Sequence, residues 1–349
     1  MNSANHASSV DFKNNSLNTL KILAALQVAY LHAVTHLGIQ INDTVTAICN
    51  LFMGVPIFFV LSGFLIWNSI NRSKDFKDYA KKRAQRIFPE LWLGVAVEIV
   101  VLIIFLKDKI KWLDLIAFAA GQGTFLQFWT PNSLRDFGCG TPNGALWTLG
   151  ITIQFYIIVW FLYKFLKNKN IYYWCSALLI SIVIKALSPT LTNVLPGIIG
   201  KLYGKTILPY LWMFLLGAFL AHYRDISIPF LKKTWWIFIP ISIVLDHFKL
   251  DIGHSSYGVF IYILRVSGFI GLCYLLPKIN ISFDFSYGMF IYHMIVINVM
   301  IELGFVGKVY HLFIALAISI VLSILSALFG KYIVKALSKK TEVKNANKA

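Results

Sequence analysis

The sequence predicts an all-α integral membrane protein, a bundle of about ten transmembrane helices with both termini cytoplasmic. Of 349 residues, 58% are hydrophobic and only 13% charged, with mean hydropathy +0.70. Soluble domains carry about 25% charged residues, so this chain has too little polar surface to cover a globule in water. The apolar residues also come in blocks of about 20, the length that crosses a hydrocarbon core of roughly 30 Å. Spanning segments must satisfy their backbone hydrogen bonds internally, which makes each block a helix.

The clear spans lie near 18–38, 45–70, 87–106, 145–166, 171–188, 206–222, 234–248, 256–277, 284–304 and 309–335. An eleventh apolar stretch, 112–129, is interrupted by Gly121, Gln122, Gly123 and Thr124. Charge decides whether it crosses. The segment from Arg72 to Arg86 holds seven Lys and Arg residues and belongs on the cytoplasmic side. If 112–129 does not cross, the basic loops at Lys164–Lys169 and Arg224–Lys233, Lys278 and the tail with Lys331, Lys335, Lys339 and Lys340 all fall on that side. If it crosses, all of them flip outward. The non-crossing arrangement leaves only Lys107, Lys109 and Lys111 misplaced, so 107–144 is expected as an external segment with a re-entrant or interfacial piece. The organisation expected is a cytoplasmic polar tail at 1–17, a transmembrane domain at 18–337 and a polar, disordered cytoplasmic tail at 338–349. Residues 1–17 lack the apolar core and cleavage site of a signal peptide.

The net charge of +17 is read as topological, facing anionic lipid, and no nucleic-acid partner is expected. Cys49, Cys139, Cys175 and Cys273 have no metal-ligand spacing, so neither a disulfide framework nor a metal site is indicated.

Polar groups inside spans are expensive and face the bundle interior or a wet cavity. Lys21 and His32 are eleven residues apart, about three turns plus 20°, and so share a helix face about 16 Å apart, with His36 one turn further. A histidine is the best general-base candidate near neutral pH, although a hydrogen-bonded interior His and a snorkelling Lys fit the same spacing. Arg83 and Arg86 at i,i+3 point the same way, an arrangement suited to bidentate phosphate binding or to membrane anchoring. Pro89 marks a kink or a helix start just beyond them. Ser62 and Gly63 allow close helix approach, and Thr141–Gly150 is a turn leading into a span. Arg265 lies mid-span and requires either an ion pair or a substrate contact.

Five segments together resemble the acyltransferase-3 family, bacterial membrane acyltransferases that include polysaccharide O-acetylases. Lys21 to His32 is similar to its Arg-x10-His helix, and Phe52–Phe64 to its FxGVxxFFxLSGF stretch. Arg83, Arg86, Pro89 and Trp92 resemble RxxRIxPxxW, Ala145–Tyr156 resembles LWTLxxExQFY, and Ser286–His293 resembles SYGxYLYH. The resemblance implies a multi-pass protein of the bacterial inner membrane that moves an acyl group from acetyl-CoA, or another acyl-CoA, to a hydroxyl of a lipid-linked or surface glycan such as O-antigen in lipopolysaccharide. It implies no permanently bound cofactor. His32 would be the catalytic base or acyl relay, Lys21 its family companion, and Arg83 and Arg86 the CoA-phosphate contacts. Trp147, Arg265 and His293 would contact substrate. Two positions depart from the pattern: Lys21 stands in place of Arg, and Thr152 in place of a Glu that would complete the catalytic set. Glu98 or Asp136 could supply the missing acid, or the chain could be an impaired acyl-CoA-binding homologue. A glycan or acyl-group transporter is the further alternative. Inverted repeats would favour it, and one hexapeptide echo, Tyr257–Tyr262 against Tyr287–Tyr292, falls short of a repeat.

Overall fold

A computed structural model describes residues 14–251, 258–279, 281 and 284–346, with side chains described as far as Leu337. Tyr257 of the echoed hexapeptide lies outside these residues. The regular elements among the described residues are all helices, with no strand. In order, the helices are α1 (Leu17–His36), α2 (Asp43–Asn50), α3 (Gly54–Ile70), α4 (Phe76–Leu106), α5 (Trp112–Gln122), α6 (Trp147–Leu166), α7 (Ile171–Val194), α8 (Gly197–Tyr203), α9 (Leu211–His222), α10 (Arg224–His247), α11 (Val259–Leu275), α12 (Ser286–Glu302) and α13 (Val309–Ala346).

Among the described residues, eight helical segments are long and apolar enough to cross a membrane. Two further apolar helices, α11 and α12, are 17 residues each, or about 26 Å at 1.5 Å per residue. The protein is therefore a multi-helix membrane protein.

Several boundaries differ from the sequence reading. The span expected at 45–70 is two helices broken at Leu51–Met53, because Pro56 sits in the first turn of α3, where a missing N–H costs nothing. The helix expected from 87 begins at Phe76, within the basic segment. Asp75 caps α4 by accepting from the Asp78 N–H at 2.8 Å, and the helix runs from Phe76 straight through Pro89. Span 206–222 shrinks to α9, preceded by the short α8 and a 3-10 turn. The interrupted stretch at 112–129 yields only the 11-residue α5, about 16 Å and too short to cross. The backbone beyond Ser338 stays helical to Ala346, since no Gly or Pro interrupts it.

The chain forms two compact units. The first combines the start of α1, α3, most of α6 and α7 to α11. Its main pairings are α3 with α9 and α10 with α11. Close approach of α3 and α9 depends on Gly63 and Gly217: a Cβ on the former would strike the Phe214 carbonyl, and on the latter the Val60 carbonyl. Phe59 and Phe155 stack on Phe214 at ring separations of 4.8 and 4.0 Å.

The second unit holds the rest of α1, α2, α4, α5, residues 123–153, α12 and α13. Here α12 is the hub, packing on α13, on α4 and on the 3-10 turn Gly144–Leu146. One core cluster joins Tyr30, Ala33 and Leu37 of α1 to Ala145 and to Met294, Ile297 and Met300 of α12. A second joins Leu102 and Leu106 of α4 to Leu115 and Phe118 of α5 and to Leu134 and Phe137.

Candidate active site

Both helices that carry the central histidines belong to the second unit and end in the same way. Gly38, with φ +62°, and Gly304, with φ +75°, adopt the left-handed conformation that closes a helix. At α1 the Ile39 N–H reaches the Val34 carbonyl (3.0 Å) and the Gly38 N–H that of Thr35 (3.4 Å). At α12 the corresponding bonds run from Phe305 to Met300 (2.8 Å) and from Gly304 to Ile301 (3.0 Å). These paired bonds close both helices.

His32 of α1 and His293 of α12 meet side by side, with Nδ1 of His32 2.8 Å from Nε2 of His293. Their rings are nearly parallel, 19° apart, with centroids at 5.1 Å. Nδ1 of His293 lies 2.7 Å from the Met289 carbonyl oxygen, one turn back on α12. A carbonyl only accepts, so His293 carries its proton on Nδ1 and presents Nε2 as an acceptor. His32 must then donate from Nδ1, which leaves the lone pair of its Nε2 outside the relay. Two hydrogen bonds thus select one tautomer of each ring and hold His32 in the form of a base. His293 is fully buried and His32 half-buried. His36 stands 5.8 Å from His32, ring to ring.

A strap of chain, residues 138–143, is bound to the same helix. Asn298, fully buried, accepts from the Cys139 N–H at 2.9 Å and donates to the Thr141 and Pro142 carbonyls at 3.0 and 2.8 Å. Glu302, one turn further, accepts from the Gly138 N–H at 2.7 Å. Asn143 donates to the Ile291 carbonyl at 2.8 Å. Sequence reasoning saw only a turn here. The signal it missed is the polar series His293, Asn298 and Glu302 along one apolar helix.

The remaining expected residues fall as follows. Thr152 donates its hydroxyl to the Thr148 carbonyl at 3.0 Å, one turn back on α6. Trp147 opens α6 and is half-buried. Of the two alternative acids, Asp136 is exposed between α5 and α6, while Glu98 is buried in α4, its two carboxylate oxygens without a partner among the described residues. Arg83 and Arg86 lie in the third turn of α4. Arg83 sits 6.0 Å from the Tyr79 ring. Arg86 is bracketed by Glu90 (3.3 Å) and Asp284 (3.5 Å) and lies 5.7 Å from the Tyr287 ring. Neither carboxylate was foreseen, and an anion arriving at Arg86 has to compete with both. Lys21 and Arg265 belong to the first unit. There Arg265, only 2% exposed, bonds Asp246 at 2.8 Å and the Ser242 hydroxyl and carbonyl at 3.2 Å each, the ion-pair alternative open from sequence.

The chain is 28% identical to nodulation protein 10 of Rhizobium leguminosarum bv. viciae, over 84% of its own length and 85% of that protein. It is 27% identical to the O-acetyl transferase of Shigella phage Sf6, over 84% and 88%. A shorter stretch, 33% of the chain and 20% of the relative, is 36% identical to the peptidoglycan O-acetyltransferase OatA of Listeria monocytogenes. No solved structure gives a significant match. The family described as "Acyltransferase domain" matches residues 14–328, and the chain belongs to this acyltransferase-3 family.

Proposed function

We propose that this protein is an O-acyltransferase of the bacterial inner membrane that moves an acetyl group from acetyl-CoA, or another acyl group from its CoA thioester, to a hydroxyl of a surface glycan such as O-antigen. The observation that carries the proposal is the fixed-tautomer relay Met289–His293–His32, which leaves Nε2 of His32 as a base. As the acceptor oxygen attacks the thioester carbonyl, His32 takes its proton. The new C–O bond forms, the C–S bond breaks, and the proton passes to the departing thiolate. The imidazolium formed on His32 is stabilised by its bond to the neutral His293, the orienting role that sequence reasoning assigned to a carboxylate at position 152. Family membership and relatives named as O-acetyl transferases support the class of reaction.

In this reading α11 and α12 cross with the eight longer segments, giving ten spans and cytoplasmic termini, and the non-crossing α5 keeps the basic segments on the cytoplasmic side. Arg83 and Arg86 meet the donor phosphates there, Arg86 exchanging its carboxylate partners for phosphate. Trp147 is a substrate contact in this reading. The surrounding spans exclude water and so limit thioester hydrolysis. The test is transfer of labelled acetyl from acetyl-CoA to glycan in membrane vesicles containing the protein. Labelled ester on the glycan is the expected product, and label released only as free acetate contradicts the proposal.

A further inference from the structure

We infer that the first unit carries a binding site for the head group of an anionic phospholipid, in a polar cavity where several of its spans end. The inference stands apart from the O-acyltransferase reading and uses none of the residues assigned to that reaction.

The cavity has a volume of about 440 Å³, within the range of small-molecule sites, about 300–1,000 Å³. Four candidate spans have an end beside it: Asp43–Ile70, Gly144–Leu166, Gly197–His222 and Arg224–His247. Asn68 and Asn71 come from the end of α3, Lys167 from just past α6, and His222 and Arg224 from the junction of α9 with α10. All belong to one compact unit. An aromatic block backs the cavity. Trp174 stacks on His222 with ring centroids 4.9 Å apart, and Trp67 stands edge-on to both, at 4.7 and 5.8 Å. Tyr163, 4.9 Å from Trp67, donates its hydroxyl to Oδ1 of Asn71 at 2.6 Å and so holds that amide in place.

Charge and depth select the ligand. The lining sets Lys167 and Arg224 against a single carboxylate, the exposed Asp225. Lys164 and Lys169 flank Lys167 with no acid among them. Each of these three lysines lies within 5.6 Å of an aromatic ring, on Trp160, Tyr163 and Tyr173. Bases interleaved with aromatics in this way mark a membrane–water boundary. The anions concentrated at that depth are lipid phosphates, and basic pockets between spanning helices take their head groups. The phosphodiester meets Lys167 and Arg224. The glycerol hydroxyls of a phosphatidylglycerol head meet the amides of Asn68, Asn71 and Asn168 and the Asp225 carboxylate. A choline head would instead bring its own cation against Lys167 and Arg224. A soluble glycerol phosphate shares the polar chemistry and lacks only the acyl chains.

The test is thermal unfolding of the full-length protein in detergent, titrated with phosphatidylglycerol, with phosphatidylcholine and with soluble glycerol phosphate. The melting temperature is expected to rise with phosphatidylglycerol alone. Lys167→Gln/Arg224→Gln is expected to raise the half-saturating phosphatidylglycerol concentration about tenfold or more. Asn68→Asp, which keeps both cations and adds a carboxylate to the cavity, is expected to do the same. Lys232→Gln/Lys233→Gln removes equal charge outside the lining and is expected to titrate like the wild type. Bound lipid counted by native mass spectrometry gives the same comparison for a variant that is less stable without lipid. The inference is overturned if phosphatidylcholine stabilises equally, if glycerol phosphate reproduces the rise, or if the cavity variants titrate like the wild type. Equal impairment of the Lys232/Lys233 variant would overturn it too, since surface charge alone would then explain the effect.

Discussion

Nδ1 of His293 points at the carbonyl oxygen of Met289 on its own helix, at 2.7 Å. This local bond gives His293 its tautomer, and through it Nε2 of His32 keeps the lone pair that the proposed mechanism uses. His293→Ala removes the orienting partner and leaves His32 free to rotate and change tautomer. The expected loss in kcat is about 100-fold or more, within the range of general-base contributions, with donor KM little changed. Single-turnover acyl transfer measures it.

Thr152 offers a sharper test, because the relay does without a carboxylate there. Thr152→Glu is expected to bring no gain in transfer, since the orienting role is filled by His293. A large gain in the same assay would show that the site is missing its acid and that the natural chain is impaired.

Arg86 is already engaged by Glu90 and Asp284. Glu90→Gln removes one competing carboxylate and is expected to lower donor KM by about two- to threefold, while Arg86→Ala raises it by about tenfold. Both effects shrink at high salt, because Arg86 is partly open to solvent. Initial rates at varied acetyl-CoA and ionic strength read them out.

Arg265 fills a structural place in the first unit. Arg265→Ala removes the buried bonds to Ser242 and the ion pair with the half-exposed Asp246 and is expected to cost about 1–2 kcal/mol, read as a lower melting temperature in detergent. Acceptor KM stays unchanged in the protein that remains folded.

Gly63 faces the Phe214 carbonyl across the α3–α9 contact. Gly63→Val has no room for its side chain and forces the two helices apart, at about 1–3 kcal/mol. The same melting measurement detects it, and donor thioester turnover by the surviving fraction stays near wild type.

Hydropathy made the spans legible because burial in lipid is written in composition over about 20 residues. Its failures are local. The span read as starting at 87 starts earlier, because the Asp75 cap and good helix formers make most of the run from Arg72 to Arg86 the opening turns of α4. His32 was visible as a polar residue on an apolar face, but its partner lies 261 residues away with no periodicity linking them. Asn143 and Asn298 were invisible for the same reason. A side chain that satisfies a distant backbone carbonyl leaves no pattern in its own neighbourhood.

The most direct test of the relay is surface-glycan O-acetylation, read by mass spectrometry in host cells carrying the wild-type chain or His32→Ala. The account predicts an ester mass increment with the wild type that disappears with His32→Ala while membrane insertion is unchanged. Equal acetylation by both chains would remove His32 from the chemistry and contradict the account.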